Sequence, residues 1–141
     1  MCKKACYLIA FVLSIVFYSC GDSERRISGN YFLLSMDGNK YQTSLSQRDE
    51  KDGDSFDGII DYMVYAVGFD SRYIIAKQHP WGPGAGPNFK ITYYYIVDMT
   101  ETPGAFHGDP KVYGPYSESE FCKKRTMLGI ADAVKFSINV D

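Results

Sequence analysis

Histidine occurs only twice in the 141 residues and tryptophan once, and three of the four cysteines, Cys2, Cys6 and Cys20, fall within the first twenty positions. A zinc centre needs three or four converging ligands. His79 and His107, with Asp109 nearby, match no zinc-binding spacing, so no metal and no cofactor is expected. A basic excess is also missing: 15 Lys and Arg stand against 17 Asp and Glu. Nucleic acid, which selects for a basic stripe, is therefore not an expected partner. The chain has no Gly-x-Ser-x-Gly elbow, no phosphate-cradling glycine loop and no dinucleotide fingerprint, so no catalytic residue is assigned. Paired carboxylates for glycoside hydrolysis are assembled in space and leave no local signature. A small carbohydrate-active or hydrolytic enzyme using loop carboxylates such as Asp98 or Asp109 therefore stands as the alternative to a binding role.

Long apolar runs are lacking as well. Residues 6–18 form an uncharged stretch of 13 residues behind the basic Lys3 and Lys4. At about 1.5 Å per residue this is shorter than a hydrocarbon core of about 30 Å, so a secretory signal is expected rather than a spanning helix. Phe17-Tyr18-Ser19-Cys20 resembles a bacterial lipobox, which implies cleavage before Cys20 and lipidation of its thiol. The resemblance implies a signal peptide over residues 1–19 and attachment to a membrane through the N-terminal lipid. A general secretory signal with an incidental cysteine and a true membrane anchor are the competing readings. Lipidation places the protein in the bacterial cell envelope, and residues 21–24 do not separate the periplasmic from the surface side.

Removal of 19 residues from 141 leaves 122, enough for one domain with its own core, carrying 13 basic and 17 acidic residues. Cys122 is then the one thiol left in the domain, so no intrachain disulfide is expected and stability must come from packing. Its position on an expected helix reads as a small, partly buried apolar residue.

Residues 20–30 are polar and are expected to be a tether, with a single globular β-rich domain over 31–141. The domain is organised around three apolar segments, 62–69, 73–78 and 91–99, separated by turn chemistry. In the last of these, Ile91, Tyr93, Tyr95, Val97 and Met99 alternate with Thr92, Tyr94, Ile96 and Asp98. This pattern predicts a central strand with one apolar face and one mixed face, the latter partly wet or covered by a smaller element. Ahead of it, strands are predicted over 31–36 and 40–45 around the turn Asp37-Gly38-Asn39, which favours positive φ. The acidic stretch 48–58 fails the EF-hand spacing and predicts a solvated loop. Prolines and glycines in 79–88 predict an exposed hairpin tip without regular pairing.

Near the C-terminus, Ser117-Glu118-Ser119-Glu120 is a capping box, Phe121 and Leu128 share one helix face, and Gly129 is the stop. Val134, Phe136, Ile138 and Val140 then alternate as a final strand. The fold class expected is α+β: a mainly antiparallel sheet of about five to seven strands with one C-terminal helix packed on it and a final strand.

The segments 73–78 and 93–98, followed by a capped helix ending Leu128-Gly129-Ile130, resemble short, uncharacterised bacterial lipoproteins of the domain-of-unknown-function type. The likeness runs from about Val64 to the end, its motifs are structural, and it carries no activity or site residues across. The stretch 81–87 is longer than the family's usual connection.

The 12 tyrosines are the most unusual compositional feature. They have two readings: high β propensity, or broad amphipathic contact surface for a protein or glycan of the envelope. Tyr93, Tyr94 and Tyr95 are the candidate binding face, and His79 with Trp81 the candidate binding loop. Trp81 either contacts a partner or folds back to cover the sheet edge. The function expected is a lipid-anchored envelope protein acting as a non-enzymatic binding module. An inhibitory or immunity-type role with a co-encoded partner is a third possibility that one sequence does not reveal.

Overall fold

A computed structural model of the chain describes residues 23–49, 51–82, 86–100 and 110–140. The predicted signal segment, Cys20, His107 and Asp109 lie outside these residues. Among the described residues the fold is mainly antiparallel β-structure with one α-helix and a short final strand, as the alternation and the capping box predict. Where the sequence predicts one sheet, the strands divide between two principal sheets and a small hairpin.

The first sheet is a meander of β1 (Ser23–Ser28), β2 (Tyr31–Ser35), β3 (Thr43–Arg48) and β4 (Phe56–Ile60). Its existence corrects two sequence expectations. Ser23–Ser28, expected in the tether, pairs with β2 as an edge strand, and most of β4 comes from the stretch expected to be a loop. Both are polar enough to mislead. β1 is exposed except at its C-terminal end, where Ile27 enters the core. The turn after β2 is wider than a two-residue hairpin, since Ser35 pairs with Thr43, but Asp37 and Gly38 do adopt positive φ of 52° and 67°.

The second sheet holds β5 (Val64–Phe69), β6 (Tyr73–Gln78), β9 (Tyr93–Asp98), β10 (Lys111–Tyr116) and β11 (Ile138–Asn139) in the order β10-β9-β6-β5-β11. The three apolar segments thus sit side by side at its centre. Between β6 and β9 lies the small hairpin of β7 (Trp81–Gly82) and β8 (Gly86–Pro87). Its Trp81↔Pro87 and Gly82↔Gly86 pairs correct the expectation that prolines and glycines exclude pairing here. A two-residue ladder asks little of either residue type, and Gly86 supplies a φ of 88°.

The two sheets pack face to face. Tyr31, Leu33, Leu45 and Ile60 of the first meet Val64, Val67, Ile74, Ala76, Val97 and Ile138 of the second. Leu45, Val64, Val67, Ile74 and Val97 are inaccessible to solvent, and each such aliphatic side chain contributes about 2 kcal/mol relative to exposure. The opposite face of the second sheet is also covered. Tyr73, Ile75, Tyr94 and Ile96 lie under Phe121, Ile130 and Val134. The alternation in the central strand is therefore borne out, with Tyr95, Val97 and Met99 toward the first sheet and Tyr94 and Ile96 toward the helix.

The helix α1 (Glu118–Met127) begins with the expected capping box, in which Ser117 Oγ accepts from the Glu120 amide and Glu120 accepts from the Ser117 amide at 2.8 Å. It ends in a Schellman arrangement: Ile130 N–H donates to Arg125 C=O, Gly129 N–H donates to Thr126 C=O, and Gly129 takes a φ of 67°. Cys122 lies on the exposed side of this helix, not in the partly buried position its sequence context suggested.

The C-terminal segment does more than add a strand. Val134 and Phe136 pack on the helix side of the second sheet, whereas Ile138 and Val140 pack between the two sheets. The chain thus wraps around the sheet edge at Ser137, whose N–H donates to Val67 C=O. Arg125 holds the start of this segment by donating to the carbonyls of Ala131 and Val134.

Candidate functional site

Exposed aromatic and apolar side chains gather at the end of the sandwich where β5, the β6–β9 connection and the loop 36–42 meet. At its centre Tyr65 stacks on His79, with ring centroids 4.2 Å apart and planes 10° apart. Tyr65 reaches this position through a β-bulge: Val64 pairs with Gln78 and Ala66 with Lys77, so the residue between them has no partner of its own. A bulge re-aims the side chain it carries. Hydrogen bonds fix both rings, Tyr65 Oη to Thr92 Oγ1 at 3.0 Å and His79 Nδ1 to Ile91 C=O at 2.7 Å.

Phe89 stands edge-on to His79 at 5.3 Å, and Tyr41 edge-on to Phe89 at 5.8 Å. Phe89 is placed by a turn in which Asn88 N–H donates to Pro80 C=O and Asn88 C=O accepts from Ile91 N–H. Tyr41 is placed by Asn39, whose side chain accepts from the Tyr41 amide at 3.0 Å. The same loop carries Met36, and Tyr62 Oη donates to its Sδ at 3.4 Å. Trp81 follows His79 by two positions and is half exposed, its ring 3.6 Å from where a β-carbon on Gly86 would sit. Phe89 at 58% and Trp81 at 50% are the most exposed rings of the group.

The junction beneath this surface is held by Gln78. Its amide donates to the carbonyls of Asp61 and Tyr62, at 2.9 and 3.0 Å, and accepts from Tyr95 Oη at 2.9 Å. These bonds secure the crossing between sheets, where Met63 is buried with a φ of 69°, a strained conformation for a residue with a β-carbon.

The three consecutive tyrosines do not share a face. Tyr94 is buried beneath Phe121 at 5.1 Å, and burial, with Glu118 nearby, raises its pKa. Tyr93 and Tyr95 point to the other side, where Tyr95 is half buried and its pKa is raised by burial and then by Tyr93. Of the site residues proposed from sequence, the structure brings His79 into one surface with Tyr65, Phe89 and Tyr41, which sequence reasoning missed, and Trp81 stands half exposed two positions further along the chain. Three separate segments supply that surface, so no local spacing announces it.

Asp98, the candidate carboxylate within the described residues, is engaged on both oxygens. Arg72 Nε and Nη2 donate to Oδ1 and Oδ2 at 3.3 and 2.9 Å, and Thr100 donates to Oδ1 through its hydroxyl at 2.6 Å and its amide at 3.1 Å. Burial pushes the Asp98 pKa up, but the bonds from Arg72 and Thr100 outweigh it and hold the carboxyl below its ordinary value. This is the arrangement of a strut rather than a proton carrier. Among the described residues there is no group of three His, Cys, Asp or Glu side chains placed to hold a metal ion. Among the same residues, no helix is long and apolar enough to cross a membrane.

No curated protein and no solved structure matches the chain. A family model does, over residues 28–141, which takes in β2 to β11, the aromatic corner and the helix. The chain belongs to the family described as "Protein of unknown function (DUF3997)".

Proposed function

We propose that the protein is a lipid-anchored component of the bacterial cell envelope that acts without catalysis, binding another envelope protein through the Trp81–Phe89 corner. The observation that carries this reading is the run of touching, solvent-facing rings from Tyr41 through Phe89 and His79 to Tyr65, with Trp81 beside it. Tyrosine, tryptophan, phenylalanine and methionine are the side chains that dominate the cores of protein interfaces. A protein partner suits the surface better than a glycan. The facing sides of the Tyr65 and His79 rings are spent on each other, and Phe89 presents an edge to His79 rather than extending a flat platform. The lipid anchor is supported by the basic start, the apolar run and the position of Cys20.

The test is capture from native membranes by the full-length protein, with Trp81→Ala/Phe89→Ala as the control. A stoichiometric envelope protein that co-purifies with the wild type and is lost with the variant supports the reading. Recovery that is equal for both, or nothing recovered by a folded wild type, overturns it. The anchor is tested separately by labelling cells with a fatty acid, which is expected to mark the wild type and not Cys20→Ser.

A further inference from the structure

Next to the aromatic corner, with which it shares the loop 36–42, β11 faces the N-terminal end of the first sheet across a cleft of about 230 Å³. Three hydroxyl residues lie in register there, since Ser23 pairs with Ser35 and Ser35 with Thr43 across β1, β2 and β3. All three line the cleft, together with Arg25, Lys40 and Asn139, and no acidic side chain does so among the described residues. Ser35 Oγ donates to Asn39 C=O, which leaves Ser23 and Thr43 to donate elsewhere. Thr43 is 2% exposed, and its hydroxyl is buried with no hydrogen-bond partner. A buried hydroxyl without a protein partner is costly, and a water or a ligand oxygen in the cleft would relieve it.

We propose that this cleft binds a phosphate group. The lining offers two cations and two free hydroxyls, a donor set that suits a tetrahedral oxyanion with acceptors on every side better than the two oxygens of a carboxylate. The Thr43 hydroxyl supplies the innermost donor by turning between staggered χ1 wells, and Arg25 and Lys40 close over the charge from the exposed rim. Two sources of that chemistry are available, a free phosphate and a phospholipid headgroup. The second rests on the lipid-anchor reading: two residues separate Cys20 from Ser23, and the three steps span at most about 10 Å, which keeps the cleft within reach of the headgroup layer.

The experiment follows the Thr43 and Asn139 amide resonances of the full-length protein in a nonionic detergent. It uses two probes, inorganic phosphate and dihexanoyl phosphatidylglycerol below its micelle concentration. Saturable shifts with both probes, weakened at least about tenfold in Arg25→Gln/Lys40→Gln, establish a phosphate site open to either source. Saturation with the lipid probe alone, weakened in the same way, assigns the site to headgroups. The phosphate arm does not depend on lipidation, so a failed anchor does not mimic a failed site. Thr43→Val gives a second readout: it is expected to raise Tm without phosphate, because the unpartnered hydroxyl is gone, and to lose the further rise that phosphate gives the wild type. Absence of saturation with either probe, or a response undiminished in both variants, overturns the proposal.

Discussion

Tyr95 and Gln78 lie on adjacent strands, and the Tyr95 hydroxyl fixes the Gln78 amide so that its nitrogen faces two carbonyls of the inter-sheet crossing, Asp61 and Tyr62. Gln78→Leu keeps the volume but strands three polar groups in a poorly solvated place. The expected loss is about 2–3 kcal/mol, read from chemical denaturation. Tyr95→Phe removes one of the bonds and is expected to cost about 1 kcal/mol. Equal losses for the two variants would mean that the carbonyls find water instead.

Gly68 meets the returning C-terminal segment at the point where it rounds the sheet edge. A β-carbon placed there would overlap the backbone carbonyl of Lys135 and fall 3.2 Å from Ile75 Cγ1. Gly68→Ala must therefore push residues 134–137 away from β5. A destabilisation of about 3 kcal/mol is expected, with faster amide exchange at Ser137 and Val140, whose N–H groups bond to β5. A variant as stable as the wild type would show that this segment is not fixed against the sheet.

The centre of the fold is legible in the sequence because each buried strand carries its own pattern. Residues 73–78 open with a continuous apolar run that suits a strand buried on both faces, residues 91–99 alternate, and the two form β6 and β9 as antiparallel neighbours. The helix is legible for a similar reason, since Ser117, Glu120 and Gly129 act within a turn of where they stand. The first sheet is harder to read. Ser23–Ser28 places Glu24, Arg25 and Arg26 on an exposed edge, and its sheet membership depends on β2, which no local pattern in 23–28 encodes. The C-terminal wrap was hidden because Val134, Phe136, Ile138 and Val140 look like one strand face, while the backbone turns between the second and third of them. The aromatic corner is a tertiary product throughout. Its central tyrosine is aimed by a bulge, which shifts the alternation by one residue so that Val64 and Val67 face the same core, and nothing local marks the position of that shift.

Tyr31 and Asp98 together predict how stability depends on pH. Burial, and then the charge of Asp98, push the Tyr31 pKa from 10.0 up to about 12. Because the native value lies above the unfolded one, this contribution is complete below about pH 10. It falls as the pH rises toward 12, by roughly 2 kcal/mol in total. Tyr31→Phe is expected to flatten that alkaline limb in a urea-unfolding series across pH 8 to 12. An unchanged limb would assign it to other groups.

Asp98 acts with the opposite sign. Its native pKa is lowered below the ordinary 3.8, so the unfolded chain binds the proton first as the medium is acidified. Its contribution is whole above the unfolded value and is lost as pH falls through the depressed native one. Asp98→Asn is expected to lower Tm at neutral pH and to lose part of the acid-induced decline between about pH 5 and pH 2. A variant whose acid limb matches that of the wild type would show that the Arg72 and Thr100 contacts do not hold the carboxylate charged.

Variants of Trp81 and Phe89 test the proposed binding role apart from folding. Both rings are at least half exposed, so truncating either one is expected to change stability by less than about 1 kcal/mol. If the proposed interface is centred here, each truncation is expected to cost about 2 kcal/mol or more, a loss of about thirtyfold or greater in affinity for the proposed partner. Tyr65→Ala should behave differently, because Tyr65 is stacked on His79, bonded to Thr92 and half buried, so that stability and affinity fall together. Side-by-side denaturation and binding titrations of the three variants read this contrast. A large loss of stability in Trp81→Ala would make that ring part of the scaffold. Full affinity in Trp81→Ala and Phe89→Ala would move the contact surface away from this corner altogether.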